Sequence, residues 1–301
     1  RCMPDGIANF LTPQELHKLG RLTLMSRYVV EGNLAGAHKS PQRGSSSEFA
    51  DHRSYFPGDD PKHIDWKVLA RTDRYFIRRY EDETNLRVYI VLDRSASMGY
   101  ASEETSKYKY ACHLAAAIGY VIVKARDSVG LYLHSDQVDA KVETGNSFLH
   151  LNNLLKRVQA TPSGSQTDLP KILHQVAESV RKRALIVVFS DLYGEPDEVI
   201  LGLAHFRKMH HDVVVFHVLD PMEIDLSFKK GAQFEDMETR ESITVDPRAL
   251  SADYQRVFAE FMEKYRKGCA SMNIDYRLAR TDQPVDTFVR AFLQERRRLS
   301  K

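Results

Sequence analysis

From Arg87 onward, short apolar runs alternate with longer stretches whose apolar residues recur every three or four positions. The first pattern predicts strands and the second amphipathic helices. Strands are expected at Arg87–Leu92, Ser128–Leu133, Ala184–Asp191 ("ALIVVFSD"), Asp212–Asp220 ("DVVVFHVLD") and Ile274–Leu278. Helices are expected at Ser106–Lys124, Ser147–Val158, Leu169–Val180, Pro196–Met209, Pro247–Ser271 and Thr287–Arg298. The two valine-rich runs are apolar at nearly every position, which suits strands covered on both faces. Val138–Val142 is shorter and more polar, as an edge strand would be. Ala232–Glu238 and Glu241–Val245 form an expected hairpin that turns at Thr239 and Arg240. The whole predicts an α/β fold: a doubly wound, mostly parallel sheet with helices on both faces. A hairpin-helix detour at about 221–273 interrupts it.

The first 86 residues follow no such alternation. Thr12-Pro13-Gln14-Glu15 is a helix-start signature, with Leu16, Leu19, Leu22, Leu24 and Val29 behind it at roughly helical spacing. Gly32–Ser47 is rich in glycine and serine and reads as an exposed loop. In "EFADHRSYFPGDDPKHIDW" (Glu48–Trp66), strong turn chemistry at Pro57-Gly58-Asp59-Asp60 stands among Phe49, Tyr55, Phe56, Ile64 and Trp66. A turn between short extended pieces is expected there, followed by a strand from Tyr75. The expected organisation is an N-terminal helical and extended segment, residues 1–86, packed on an α/β domain at 87–301.

Composition excludes more than it suggests. Lys and Arg number 43 against 41 Asp and Glu, a net charge of +2, which gives no pull toward nucleic acid or anionic membrane. Cys2, Cys112 and Cys269 are far apart and make neither a disulfide framework nor a metal pair, which fits a reducing, cytoplasmic setting. Leu114–Val123, the longest apolar run, is about half of a membrane span, and no secretory leader is legible. There is no Walker-type glycine loop and no His-x-x-x-His helix. His210 and His211 are adjacent, so their rings diverge. His113 and His134 read as ordinary surface or satisfied core residues. Arg296-Arg297-Arg298 reads as a solvated, basic helix end.

The polar chemistry gathers at strand exits. In "YIVLDRSASMGY" (Tyr89–Tyr100), four apolar residues lead into Asp93, followed by Ser95 and Ser97 at alternate positions. An extended loop points alternate side chains the same way. Ligands of doubly wound sheets bind beyond the carboxyl ends of strands, where strand order reverses. If the Arg87 and Ala184 strands flank that point, Asp93, Ser95 and Ser97 meet Ser190 and Asp191. "TPSGSQTDL" would bring Thr167 and Asp168 to the same crevice. Two carboxylates with neutral hydroxyls suit magnesium, a hard ion that takes oxygen ligands. Such a cation would keep an open position for a carboxylate from another molecule.

With these residues in view, the chain resembles a von Willebrand factor A-type domain with a metal-ion-dependent adhesion site. The resemblance covers Arg87 to the C-terminus. It assigns magnesium, with manganese or calcium as substitutes, to Asp93, Ser95, Ser97, Thr167 and Asp191. Glu48-Phe49, Arg53-x-Tyr55, Pro57-Gly58-Asp59-Asp60 and Ile64-Asp65-Trp66 resemble the bacterial family called domain of unknown function fifty-eight. That resemblance implies partnership with a MoxR-type AAA+ ATPase, as an adaptor or co-chaperone that captures an acidic residue of the partner. For Arg53, Tyr55, Asp59, Asp60, Asp65 and Trp66, docking of the N-terminal segment and a second contact surface are both open. A non-enzymatic interaction module is the first expectation. A magnesium-dependent phosphohydrolase is the alternative, with Asp93 as nucleophile. It suffers from Ser95 standing where phosphatases of that kind place a second acid.

Overall fold

The computed structural model of the chain describes residues 5–19, 47–56, 64–82, 86–159, 168–226, 232–235, 242–245 and 247–299. Two compact units divide it, Arg1–Gly36 with Leu86–Lys301 and Ala37–Asn85.

The larger unit begins with helix α1 (Asp5–Ala8) and a helical stretch, α2, at residues 13–19. Ile7, Leu11, Leu16 and Leu19 join the core of this unit. In the smaller unit, β1 (Ser47–Ser54) pairs antiparallel with β2 (Phe76–Asp82), and α3 (Trp66–Thr72) lies between them in sequence. The expectation of extended chain up to Trp66 is corrected here. Asp65 caps α3 by accepting from the Lys67 and Val68 N–H groups at 3.0 and 3.3 Å, so Trp66 starts a helix.

The remaining elements alternate as the pattern requires. They run β3 (Arg87–Asp93), α4 (Lys107–Lys124), β4 (Ser128–His134), β5 (Val138–Gly145), α5 (Phe148–Val158), α6 (Leu169–Ser179), β6 (Leu185–Ser190), α7 (Pro196–Lys208) and β7 (Asp212–Leu219). Then come α8 (Pro221–Asp225), the antiparallel pair β8 (Ala232–Glu235) and β9 (Ser242–Val245), α9 (Pro247–Ser271), β10 (Asp275–Arg280) and α10 (Val285–Leu299). Thr239 and Arg240, the expected hairpin turn, lie outside the described residues.

The main sheet has the order β10-β7-β6-β3-β4-β5, parallel except for the edge strand β5. From β3 the chain moves to β4 on one side and later returns to β6 on the other. Strand order therefore reverses between β3 and β6. Side-chain alternation builds two cores. Val88, Ile90 and Leu92 of β3 face α4, α5 and α10, whereas Tyr89 and Val91 face α6, α7 and α9. Ser106 caps α4 through the Lys109 N–H, and Asp168 caps α6 through the Lys171 N–H. Arg296, expected to be solvated, is instead buried, with Nε 3.8 Å from Asp275 Oδ2.

His211, just before β7, joins two ends of the second core. Its Nδ1 accepts from the Ala184 N–H at 3.2 Å, so Nε2 donates to the Val180 carbonyl at 3.1 Å. Burial, the largest influence, holds its pKa below the usual 6.5. The folded chain thus keeps His211 neutral where the unfolded chain takes up a proton. The stability this contributes is full above about pH 6.5 and falls as pH drops below it. Urea denaturation should show stability declining from pH 7 to pH 5. His211→Asn should flatten that slope and cost about 1–3 kcal/mol at pH 7 through unsatisfied backbone groups. An unchanged slope would contradict the assignment.

Candidate metal centre

Four neighbouring parallel strands carry a row of polar residues, His134, Asp93 and Ser190 at the last positions of β4, β3 and β6, and His217 two positions before the end of β7. The register pairs Asp93 with His134 and Ser190 with His217, and Ser190 Oγ donates to Asp93 Oδ2 at 2.7 Å. Two positions earlier on each strand stand Tyr132, Val91, Val188 and Val215, all in the core beneath α6, α7 and α9. The strand period therefore places the polar row on that same face, and all four side chains are buried.

Asp93 Oδ1 accepts from the Ser95 N–H at 2.9 Å, which folds the loop back over the strand end. Ser95 Oγ and Ser97 Oγ lie 3.0 Å apart, Ser97 opening a short 3-10 turn to Gly99. Burial lifts the Asp93 carboxyl above the ordinary carboxylate range. The charge of Asp191 acts in the same direction, while His134 and the Ser190 and Ser95 hydrogen bonds oppose it.

Asp191 is engaged by a residue that the motif did not point to. Lys107 Nζ, at the first position of α4, lies 2.7 Å from Asp191 Oδ2 and 2.6 Å from Glu223 Oε1. Lys107 is 0% exposed. Burial works against its charge, but the two carboxylates outweigh it and hold the ammonium above the ordinary lysine value. The Tyr193 ring centroid is 4.8 Å from Nζ, and the Tyr193 hydroxyl donates to Glu223 Oε1 at 3.2 Å. Glu223 is fixed by a capping box at α8. The Asp220 N–H donates to its Oε2 at 2.9 Å, and Asp220 Oδ1 accepts from the Met222 N–H. Burial raises the Glu223 carboxyl, and Lys107 opposes that rise. His217 Nε2 lies 2.8 Å from the Asp191 carbonyl, which can only accept, so Nε2 carries the proton and Nδ1 accepts from the Tyr276 hydroxyl at 2.6 Å. Burial lowers the His217 pKa to about 4, so it is neutral at pH 7.

Charge and spacing test whether a divalent cation suits these residues. Asp191 and Glu223 share the Lys107 ammonium, and the charge of Asp93 interacts with that of Asp191, so when ionised these three acids exceed the ammonium by two negative charges, and buried Asp220 adds another. A buried excess of charge is costly unless a counter-ion or protons join it. Adjacent ligands of an octahedral magnesium at about 2.1 Å stand roughly 3.0 Å apart. The two serine hydroxyls have that separation. The donors are all oxygen, as a hard cation requires, so the residues fit. Among the described residues no three His, Cys, Asp or Glu side chains form a ready cage. Thr167 lies outside the described residues. His134 departs from expectation: it is fully buried, and neither ring nitrogen has a hydrogen-bond partner among the described residues.

The remaining candidates belong to the smaller unit. Arg53 pairs with Ile77 across β1 and β2, and its side chain is outside the described set. Tyr55 is half-buried, its ring 6.1 Å from that of Tyr75 and its N–H bonded to the Tyr75 carbonyl. Asp65 has a structural task as the α3 cap. Trp66 is 61% exposed and does not fill the core of its own unit. Asp59 and Asp60 lie outside the described residues.

A family described as "Protein of unknown function DUF58" matches residues 51–264. Uncharacterized proteins of Mycobacterium bovis (Mb1516) and Mycobacterium tuberculosis (Rv1480) are 26% identical over 296 residues, covering 95% of this chain and 91% of theirs. Among solved structures, a conserved hypothetical protein BatB from Bacteroides thetaiotaomicron is similar with a TM-score of 0.47 and 16% identity, over 70% of this chain and 96% of that one. An aerotolerance-related membrane protein from Bacteroides fragilis is similar with a TM-score of 0.47 and 17% identity, over 71% and 99% of the two chains. Among the described residues of this chain, no helix is long and apolar enough to cross a membrane.

Proposed function

The chain belongs to the family described as Protein of unknown function DUF58, and from there we propose that it is a magnesium-dependent protein-interaction module. Asp93, Ser95, Ser97, Thr167 and Asp191 would hold the cation. When bound, the cation would supply an open coordination position that an acidic side chain of a partner can fill. The observation that carries this proposal is a buried excess of carboxylate beside two hydroxyls at octahedral spacing, at the point where strand order reverses. The von Willebrand A-type identity of the α/β unit, and a MoxR-type AAA+ ATPase as partner, are part of the same proposal and rest on the motif resemblance.

The phosphohydrolase alternative is weaker on the same geometry. Asp93 is buried, and each of its oxygens already accepts a hydrogen bond. A nucleophilic carboxylate must reach the substrate, and Asp93, 1% exposed, is less open to a bulky phosphoryl group than to a small cation. Ser95, two positions on, is no general acid.

Affinity capture from native lysate distinguishes these ideas. Wild type in magnesium should retain an AAA+ ATPase, and wild type in chelator or Ser97→Ala in magnesium should lose most of it. Equal retention under all three conditions would contradict metal-mediated capture.

A further inference from the structure

Lys107 is in an unfavourable place for an ammonium. It is fully buried, and it sits at the first position of α4, where the helix dipole favours anions. What holds it there is the pair of carboxylates at 2.7 and 2.6 Å, with the Tyr193 ring alongside. One of these carboxylates, Asp191, belongs to the proposed cation site. The other, Glu223, belongs to α8 and is clamped by the capping box. Its backbone carbonyl also accepts from the Tyr254 hydroxyl of α9 at 2.5 Å. The ammonium therefore stands between a site carboxylate and an anchor carboxylate that is fixed from three directions.

We propose that Lys107 is a tethered cation that competes with the divalent ion for Asp191, and that Glu223 is the anchor that lets Asp191 be released. This rests on the cation site proposed above. Two cations sharing one carboxylate repel each other strongly at short range in a buried setting. The lysine thereby keeps the site's affinity low, and the placement of α8 sets how low. Displacement of α8 by a bound protein would return the ammonium to Asp191 and weaken cation binding.

Manganese titration, followed by electron paramagnetic resonance of the free ion, tests this on the full chain. Lys107→Gln should tighten binding about tenfold or more, by removing a nearby positive charge. Glu223→Gln should weaken it, since Lys107 then leans on Asp191 alone. The double variant Lys107→Gln/Glu223→Gln leaves one carboxylate fewer unpaired and guards against misfolding of the single variant. It too should bind at least as well as wild type. If both lysine variants bind more weakly while Asp93→Ala abolishes binding, Lys107 positions Asp191 and the competition idea is overturned. If Asp93→Ala binds as well as wild type, the cation site itself fails and the inference goes with it.

Discussion

Replacing Lys107 by methionine is expected to destabilise the metal-free protein by about 3–5 kcal/mol. Methionine fills much of the same volume, so the loss is electrostatic rather than a cavity. It leaves Asp191 and Glu223, both largely buried, without their shared counter-ion. Breaking a buried pair costs far more than replacing it whole, because an uncompensated charge remains. Adding Glu223→Gln should therefore recover part of the loss. Urea denaturation in chelator measures this for the wild type and both variants. A loss below about 1 kcal/mol for the single variant would place the pair in the class of weak surface bridges and contradict the role assigned to it.

Asp93→Ala is expected to remove the link between magnesium and stability. A ligand that binds only the folded state stabilises it by about 2.7 kcal/mol at a hundred times its dissociation constant. Wild type should show a rise of that order in denaturation free energy as magnesium is added. Asp93→Ala should show none, because its carboxylate stands at the centre of the polar row between His134 and Ser190. Lys107→Gln should show a larger rise than wild type at the same concentration, as the competition predicts. A magnesium-dependent rise of equal size in Asp93→Ala would mean that the ion acts elsewhere on the chain.

The strands, the helices and the crossing point were legible because they rest on local periodicity. "YIVLD" and "ALIVVFSD" read as buried strands that end in polar residues, and Ser190 does reach Asp93. The helix start at Thr12 was legible for the same reason, its hydroxyl accepting from the Glu15 N–H at 3.3 Å. Lys107 was not. A lysine at a helix start usually reaches water, and nothing nearby in sequence marks this one for burial. Its partners arrive from far along the chain, Glu223 being 116 residues away. His134 was hidden in a different way. Its strand position was plain, but only the parallel register sets it beside Asp93, where among the described residues neither ring nitrogen has a hydrogen-bond partner. Around Trp66, turn chemistry and aromatic residues suggested extended chain. The Asp65 side chain, bonded to two backbone N–H groups, nucleates a helix there instead.

Isothermal titration of magnesium or manganese into the wild type and Asp93→Ala tests the central claim most directly. Wild type should bind one ion per chain, with binding weakened about 100-fold or more in Asp93→Ala, since loss of a ligand exceeds the 10–100-fold cost of losing its outer support. Equal binding by the two proteins, or no binding by either, would contradict a cation held at the exits of β3 and β6.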